Sequence, residues 1–519
     1  MRIGVDVGGT NTDAVLLDGE KVLSWCKKST TPDVESGIVA ALTHVLDEAA
    51  IAPGKIQCVM IGTTHFTNAF VERRHLLPVG VIRIALPAAR ALPPLMDWPA
   101  DIAEAVGEHV HLVRGGYQYD GRINAELDEE GVRTAARALS ARGLRTVAIT
   151  GLFSSVNSDM ENRAAEIVRE EMGEVSISLS HTIGRIGILE RENATIMNAS
   201  LADLAVSVVR SFGKALKQLD ISAPFYISQN DGTLMSAEFV ERYPVLTFAS
   251  GPTNSMRGAA YLSGVKDALV ADIGGTTTDI GMLVNGYPRE SSVTVDIGGV
   301  RTNFRMPDVL AVGLGGGSLV LETDGGVSVG PKSVGYRLLQ DGRVFGGGTL
   351  TTTDVAVAAG YADIGDKAKV ASLGTDLVSA AVAKIHAIVA EGVDRMKTSG
   401  KPVPLILVGG GAVLIRDEIA GTSQTIVPDH AGVANAIGAA IAQIGAETDK
   451  VVSYEEIGRD AALKLAKEEA MAKAVEAGAV AGSVEIIDIE EVPLAYVPGG
   501  AVRVRVKAAG RLDFTNGAA

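Results

Sequence analysis

Two short segments of the sequence carry the same acidic and hydroxyl side chains around a pair of glycines. The segment IGVDVGGTNTDAVLLDG, which begins at Ile3, aligns with LVADIGGTTTDIGMLVNG, which begins at Leu269. The identical pairs share one offset of 266 positions and are Asp6 and Asp272, Gly8 and Gly274, Gly9 and Gly275, Thr10 and Thr276, Thr12 and Thr278, and Asp13 and Asp279. Backbone N–H groups of such glycines and the threonine hydroxyls can hold phosphate oxygens, while an aspartate holds hydrated Mg²⁺. The repeat therefore predicts two phosphate-binding turns.

The elements that position these side chains are predicted to be two β-hairpins, because an apolar β-branched run stands on each side of each turn. A single Gly-Gly would also suit an ordinary hairpin turn. An ordinary turn needs neither the preceding aspartate nor the hydroxyls that follow, so two copies favour the phosphate interpretation. The pattern is neither a P-loop nor a dinucleotide fingerprint, because each turn leads into a strand and not into a helix.

A third glycine motif follows late in the chain. The run from Pro404 to Val408 is predicted to be a buried strand, followed by Gly409, Gly410 and Gly411 opening a helix. Three glycines after a strand could form a plain strand-to-helix loop, but their place after both turns favours a nucleotide contact. The three motifs in this order resemble the superfamily that joins actin, the sugar kinases and the heat-shock chaperone ATPases. That resemblance implies an α/β fold of duplicated actin-like (ribonuclease H-like) domains that close on ATP and Mg²⁺.

The same resemblance implies a role for each motif residue. Asp6 and Asp272 would orient Mg²⁺ or its waters and, with Thr276, form the catalytic set. The residues implied to contact the nucleotide are Gly8, Gly9, Thr10, Thr12, Gly274, Gly275, Thr276, Thr277, Thr278, Gly409, Gly410 and Gly411.

An ordered series of further motifs gives a finer match from residue 3 to about residue 445. The series comprises Gly62 to Ala69, Glu72-Arg73, Leu189 to Asn193, Ser250-Gly-Pro252, Gly313 to Ser318, and Val427-Pro428 leading to Ala431-Gly-Val433. Together they resemble the A-type subunit of the ATP-dependent hydantoinase/5-oxoprolinase family. This implies a hydrolase that uses ATP to open a cyclic amide such as a hydantoin or 5-oxoproline. Because the sequence contains no B-type portion, we expect a B-type partner subunit, or a homo-oligomer.

Residues that could bind the cyclic amide follow from the same resemblance. They are Thr63, Thr64 and Asn68 in the first loop, and Gly315 and Gly316 in the second. The family commonly carries a histidine shortly before Gly315, whereas this chain has Leu310-Ala311-Val312 there. This departure argues against a hydantoinase-like substrate or metal role for the segment. Asn230-Asp231-Gly232 fits a plain turn as well as a substrate loop.

The expected chemistry explains why ATP is needed. An unstrained amide carbonyl is a poor electrophile, and transfer of a phosphoryl group to its oxygen gives an imidate phosphate that water can attack. The sequence shows no Ser-His-Asp, Cys-His or metal-ligand constellation that would cleave an amide without ATP. Two other classes stay open: a small-molecule kinase, and a conformational ATPase similar to the reactivating factors of diol dehydratase.

Composition limits the possible partners and location. The chain has 519 residues and a formal net charge of −15, which excludes a basic nucleic-acid-binding surface. Its two cysteines form no disulfide framework, and no apolar stretch reaches the ~18 residues of a membrane span. We therefore expect a cytoplasmic protein that binds neither nucleic acid nor membrane.

The repeat also predicts the domain organisation. Residues 1–190 would form a first actin-like domain with an insertion at about 80–180, and residues 191–267 would complete that lobe. Residues 268–450 would form the second actin-like domain. Residues 451–519 would form a small C-terminal α+β extension.

Overall fold

The structure is a computed structural model and describes residues 1–9, 11–31, 34–291, 294–303, 306–323, 326–494 and 500–513. The strands in these ranges are β1 (Arg2–Val7), β2 (Asn11–Asp18), β3 (Lys21–Ser29), β4 (Cys58–Thr63), β5 (Gly80–Leu86), β6 (His109–Arg114), β7 (Gly116–Tyr117), β8 (Ile123–Ala125), β9 (Thr146–Gly151), β10 (Ser176–Leu179), β11 (Phe225–Ser228), β12 (Thr233–Ser236), β13 (Ala268–Ile273), β14 (Thr278–Val284), β15 (Tyr287–Pro288), β16 (Val295–Ile297), β17 (Val300–Thr302), β18 (Val309–Val312), β19 (Ser318–Thr323), β20 (Gly326–Ser333), β21 (Val403–Val408), β22 (Thr422–Ile426), β23 (Gln443–Ser453), β24 (Glu485–Pro493) and β25 (Ala501–Gly510).

The α-helices of the same ranges are α1 (Val34–Ala49), α2 (His65–Val71), α3 (Ala100–Val106), α4 (Glu129–Ala141), α5 (Asp159–Met172), α6 (Ile188–Ser200), α7 (Ala202–Gln218), α8 (Ala237–Arg242), α9 (Ser250–Ser263), α10 (Leu338–Asp341), α11 (Thr352–Ala358), α12 (Thr375–Met396), α13 (Ala434–Ala440), α14 (Tyr454–Ile457) and α15 (Arg459–Glu476). Within the described ranges, no helix combines the length and the apolar character that crossing a membrane would require.

The first hairpin lies inside a mixed sheet with the strand order β24-β25-β23-β12-β11-β4-β1-β2-β3. Strands β1, β4 and β11 run parallel, so their carboxyl ends meet at one edge of the sheet. Helices α1 and α7 cover one face, and α1 contributes Ile38, Leu42 and Val45 to the core at helical spacing. Strands β23 and β25, from the end of the chain, extend this first sheet.

The second hairpin lies in a separate sheet with the order β15-β14-β13-β21-β22, in which β18 also pairs with β14. Helix α12 packs against this sheet through Ile385 and Val389. The segment between β4 and α6 forms a third sheet, β10-β9-β5-β6, covered by α4 and α5. The domain boundaries given above stay predictions, and strand β23 crosses the one predicted at residue 450.

Helices α9 and α13 cross each other at very close range between the two hairpins. A Cβ atom on Gly258 of α9 would lie 1.9 Å from the carbonyl oxygen of Ala434, and one on Gly438 of α13 would lie 1.8 Å from that of Asn254. Only glycine permits this approach at either position. The crossing matters because each helix carries a polar side chain to one of the two hairpins.

Candidate functional site

The two glycine turns have the same backbone geometry. Gly8 N–H donates to the carbonyl oxygen of Asn11 at 3.0 Å, and Gly274 N–H donates to that of Thr277 at 2.9 Å. The strand registers also agree, because Asp6 lies opposite Asp13 and Asp272 lies opposite Asp279. The repeat seen in the sequence is therefore a repeat of structure, with two aspartates on each hairpin.

In the first hairpin, both aspartates are buried and share their polar partners. Asn435 Nδ2 donates to Oδ2 of Asp6 and to Oδ2 of Asp13, each at 2.9 Å, and Lys27 Nζ lies 2.5 Å from Oδ2 of Asp13. Burial and the neighbouring Asp13 carboxylate raise the pKa of Asp6 to about 7. A cation beside a buried carboxyl group with a raised pKa would stabilise its charged form.

In the second hairpin, a hydroxyl takes the place of the amide. Ser255 Oγ, from helix α9, donates to Oδ2 of Asp272 at 2.5 Å. Burial raises the pKa of Asp272, and burial together with the Asp272 carboxylate raises the pKa of Asp279 to about 7. The two hairpins thus present four carboxyl groups at equivalent positions.

A cleft of about 190 Å³ lies between the two turns. Its lining includes Asp6, Asp13, Lys27, Asp272 and Asn435, together with the turn residues Gly8, Asn11, Gly274, Gly275, Gly409 and Gly410. All three glycine motifs therefore meet at one place, as the sequence predicts. Backbone amides, a lysine and carboxylates around one cleft are the groups that hold a phosphate chain and its cation.

The third glycine motif approaches Asp272 closely. Gly409 has a φ of +84°, and a Cβ atom there would lie 2.3 Å from Oδ1 of Asp272, whereas a Cβ on Gly410 would meet nothing within 4 Å. Gly411 N–H donates to the carbonyl oxygen of Ile273 at 2.7 Å. The helix predicted after these glycines is a single 3₁₀ turn, Ala412–Leu414. Gly410 is the member of the motif that faces open space.

The predicted threonine contacts divide into two groups. Thr276 and Thr277 are exposed in the second turn, while Thr12 and Thr278 are buried. The Thr278 hydroxyl donates to the carbonyl oxygen of Leu314 at 2.7 Å, and that of Thr12 lies 3.4 Å from the Thr30 hydroxyl. These hydrogen bonds differ from the predicted phosphate contacts. For Thr12 the reason is that successive side chains of a strand face opposite sides, and its neighbour Asp13 lines the cleft. Thr10 lies outside the described residues.

The loop predicted to bind substrate after β4 lies against the first turn. The Thr63 hydroxyl is 2.7 Å from Nδ1 of His65, whose pKa is lowered by burial. Asn68 Nδ2 donates to the Thr64 hydroxyl at 3.2 Å, and a Cβ on Gly9 would lie 3.6 Å from that nitrogen. Asn68 thus lies beside Gly9 in the first turn, and contact of Thr63, Thr64 and Asn68 with substrate stays a prediction.

The glycines at 315–316 lie behind the second turn. Gly316 N–H donates to the carbonyl oxygen of Gly274 at 3.0 Å, and a Cβ on Gly315 would lie 2.5 Å from the backbone nitrogen of Thr276. Their neighbour Gly317 N–H donates to Gly275 at 2.7 Å. This position differs from the predicted contact with substrate, because both glycines are buried and support the backbone of the turn.

Several site residues were not found from the sequence: Lys27, Asn254, Ser255 and Asn435. Lys27 lies 14 positions from Asp13 and Ser255 lies 17 positions from Asp272, and nothing in their immediate sequence sets them apart. The side chain of Asn254 is fully buried, and neither its Nδ2 nor its Oδ1 has a hydrogen-bond partner among the described residues. Asn254 and Ser255 follow directly on the Ser250-Gly-Pro252 motif, which is the signal that could have found them.

The residues present fit a divalent cation with bound phosphate. Oδ1 of Asp6 and Oδ1 of Asp13 are buried and have no hydrogen-bond partner among the described residues. Across the same part of the chain, no three His, Cys, Asp or Glu side chains form a group that could hold a metal ion by themselves. The predicted ligands Asp6 and Asp272 would therefore share Mg²⁺ with water and phosphate oxygens.

Two hairpin-bearing domains around such a cleft define the class as an actin-like ATPase fold. The fold agrees with that of the ATP-dependent caprolactamase from Pseudomonas jessenii, whose crystal structure matches 99% of this chain and 88% of that chain with a TM-score of 0.80 at 21% identity. The family model of the hydantoinase/oxoprolinase N-terminal region matches residues 2–172, and that of hydantoinase/oxoprolinase matches residues 191–366. The chain belongs to the hydantoinase/oxoprolinase family, as the ordered motifs predict.

Similar curated sequences are subunits of larger enzymes by name. The gamma subunit of acetophenone carboxylase from Aromatoleum aromaticum is 29% identical over 69% of this chain and 53% of its own length. Caprolactamase subunit alpha from Pseudomonas jessenii is 27% identical over 69% of this chain and 54% of its own length. The chain thus spans about half the length of these curated relatives.

Proposed function

We propose that the chain binds Mg–ATP in the cleft between the two hairpins and serves the ATP-dependent hydrolysis of a cyclic amide or imide. The observation that carries this proposal is the pair of equivalent turns, each with two aspartates, that face one cleft from two halves of the chain. Membership of the hydantoinase/oxoprolinase family and the similarity to a caprolactamase subunit support a lactam as substrate. The names of the relatives support a multi-subunit complex, in which we propose a B-type subunit as the partner.

The residues of the cleft suit each part of such a reaction. ATP supplies a phosphoryl group that turns the amide oxygen into part of a leaving group. Asp6 and Asp272 would hold the hydrated Mg²⁺, and the amides of Gly8, Gly9, Gly274 and Gly275 would hold the phosphates with the Thr276 hydroxyl. Lys27 would stabilise negative charge at the first turn.

The bonds formed and broken make the proposal testable. The amide oxygen attacks the γ-phosphorus and ADP leaves. Water then adds to the amide carbon, the ring C–N bond breaks, and water attack at the carbon of the resulting acyl phosphate releases inorganic phosphate. The original carbonyl oxygen must therefore leave with the phosphate.

One binding experiment tests the cleft. Calorimetry should show Mg–ATP binding to the wild type and none to the double variant Asp272→Ala with Gly410→Arg, because the variant removes a carboxylate and fills open space in the cleft. Equal binding to both proteins would show that the nucleotide site lies elsewhere.

One labelling experiment tests the reaction. The chain with its copurifying partner is given ATP and cyclic amides that carry ¹⁸O at the carbonyl. Label in inorganic phosphate supports the proposal, phosphate retained on an unopened product indicates a kinase, and ATP hydrolysis without ring chemistry indicates a conformational ATPase. Ring opening with no label in phosphate would overturn the mechanism.

A second candidate function is ATP-dependent carboxylation, favoured by the 29% identity to an acetophenone carboxylase subunit. It predicts that turnover requires bicarbonate and that carbon from labelled bicarbonate enters the product. Ring opening without incorporation of that carbon separates hydrolysis from carboxylation.

A further inference from the structure

A second cavity, of about 830 Å³, lies beside the first sheet. Its walls come from several parts of the chain, among them Ser155, the segment from His181 to Ile186, the β11–β12 turn with Asn230, and strand β23 with Ala446. None of its lining residues lines the cleft between the glycine turns. The volume is in the range of pockets that enclose a small organic ligand, which is ~300–1,000 Å³.

One wall of this cavity and one wall of the glycine cleft lie at the same edge of one sheet. Strands β1, β4 and β11 are parallel, with Asp6 beside Gly62 and Ile61 beside Ile227. Asp6 stands at the carboxyl end of β1, and Asn230 follows the carboxyl end of β11. Ligands of open α/β sheets bind at the carboxyl ends of the strands, so the two spaces are suited to two reactants of one reaction.

Buried polar groups link the two spaces. The Thr253 hydroxyl donates to the carbonyl oxygen of Asn230 at 2.8 Å, and the next residue is Asn254. A Cβ atom on Gly62 would lie 2.5 Å from both Nδ2 of Asn254 and Oδ1 of Asp6. Because residue 62 has no side chain, these two groups can approach each other closely. Neither atom has a hydrogen-bond partner among the described residues.

The walls of the cavity favour an uncharged ligand. The charged side chains in the lining have opposite charges beside them: Asp231 lies 3.0 Å from Lys507, Arg185 lies 3.1 Å from Glu290, and Lys473 lies 2.9 Å from Glu469. Apolar side chains in the lining are Ile183, Phe239 and Leu246. A free ion would find its counter-charges already paired, whereas a neutral ring would bury its apolar carbons.

Two hydrogen-bond donors in the lining could recognise a carbonyl group. Nδ2 of Asn230 and Oγ of Ser155 are buried, and neither has a hydrogen-bond partner among the described residues. Asn230 is 2% exposed and is held by the β11–β12 turn, in which Gln229 N–H donates to the carbonyl oxygen of Thr233 at 2.7 Å. The segment Asn230-Asp231-Gly232 is therefore a turn that also lines a cavity, so the two interpretations of the sequence are compatible.

From this geometry we infer that the 830 Å³ cavity binds the acceptor of the reaction, an uncharged cyclic amide, with Asn230 and Ser155 as donors to its carbonyl oxygen. Asn254 is a positioning residue between this acceptor and Asp6. The inference rests on the proposed function, because it assigns the second reactant of the same ATP-dependent reaction.

Cysteine protection tests the inference on the full chain. Both native cysteines are buried, and burial raises the pKa of Cys26 to about 11 and that of Cys58 to about 12, so they react slowly with thiol reagents. Val156→Cys and Ala446→Cys place a thiol on two different walls of the cavity, and Ser372→Cys places one on an exposed surface of the second half as a control. Each thiol is converted to its methyl disulfide with methyl methanethiosulfonate in the presence of Mg–ATP analogue, with and without hydantoin, 2-pyrrolidinone or ε-caprolactam.

We expect at least one of these cyclic amides to slow modification at both cavity positions and to leave Ser372→Cys unchanged. When Asn230→Leu is added to each cavity variant, the concentration of cyclic amide that gives half protection should rise about tenfold. This is the effect of losing one hydrogen bond to a carbonyl group. The exposed change Asn162→Leu serves as its control. Absence of protection at both positions, or equal protection at Ser372→Cys, overturns the inference.

Calorimetry with Mg–ATP on the same variants separates the two proposals. Nucleotide binding and ring opening without cavity protection would leave the proposed function intact and place the amide elsewhere. Cavity protection without nucleotide binding would support the amide cavity and overturn the ATP-dependent function.

Discussion

Asn435 donates a hydrogen bond to Asp6 at 2.9 Å, although 429 positions of the chain separate the two residues. Ser255 makes the reciprocal contact, because it lies in the first half and donates to Asp272 in the second. Each hairpin is thus completed by a helix from the other half. The crossing of α9 and α13 through Gly258 and Gly438 holds both contacts in place.

The first prediction concerns Asn435. Asn435→Leu keeps the size of the side chain but removes the donor that Asp6 and Asp13 share. Loss of this hydrogen bond raises the pKa of Asp6 further, so that its carboxyl group is protonated more of the time and holds Mg²⁺ less well. We therefore expect the Kd for Mg–ATP to rise about tenfold or more in calorimetry. Asn162→Leu, on an exposed helix face, should leave the Kd unchanged. Equal affinity of wild type and Asn435→Leu would contradict the role given to Asn435.

A second prediction separates catalysis from support within one turn. Thr276→Val should lower turnover and shift Tm by no more than ~1–2 °C, because its hydroxyl is exposed in the turn. Thr278→Val should lower the free energy of unfolding by about 1 kcal/mol, because it removes the buried hydrogen bond to Leu314. Thermal melts and turnover of both variants check this, and loss of stability in Thr276→Val would favour a purely structural turn.

The third prediction compares two neighbouring glycines. Gly409→Ala places a methyl group 2.3 Å from Oδ1 of Asp272 at a positive φ, so it should cost roughly 1–3 kcal/mol of stability and weaken nucleotide binding. Gly410→Ala meets nothing within 4 Å and should melt close to wild type. Denaturant unfolding of the pair measures the difference. Similar stability of the two variants would show that the close approach of Gly409 to Asp272 carries little strain.

The fourth prediction concerns Glu161 and pH. Burial alone would raise the pKa of Glu161, but hydrogen bonds from His181 and Ser180 hold the pKa below its usual range. A lowered carboxyl pKa in the folded state stabilises the fold above the unfolded-state pKa, and this stabilisation is lost as pH falls through the folded-state pKa. Glu161→Gln should therefore be less stable than wild type by about 1.5–3 kcal/mol at pH 7.

The difference between wild type and Glu161→Gln should shrink as the pH falls below about 4.5. Urea unfolding at several pH values measures it. Glu166→Gln, on the exposed side of the same helix, is the matched control and should show little change at any pH. A difference that stays constant down to low pH would mean that the charge of Glu161 does not contribute.

Some features of the site followed from short stretches of sequence. The two hairpins and their turns were predicted correctly because a glycine pair between two β-branched runs is a local signal. The burial of Thr12 and Thr278 could also have been predicted, since Asp13 and Asp279 are their neighbours on a strand and must face the opposite side. The local pattern also favoured a helix after Gly411, and here packing against Ile273 left only a 3₁₀ turn.

The sequence by itself determined the repeated aspartate-bearing turns and the family, because both are carried by the order and spacing of residues along the chain. The tertiary structure alone decided which side chains complete the site. Asn435 reaches Asp6 and Asp13, and Gly315 supports the second turn, only because distant elements pack against one another. Lys27 reaches Asp13 through the register of β2 with β3, and Ser255 reaches Asp272 through the packing of α9 against β13. Strand β23 joins the first sheet, which brings Ala446 near Asn230 and forms the large cavity. Such contacts depend on helix crossings and strand order, and no local pattern in the sequence encodes the direction in which a distant side chain will point.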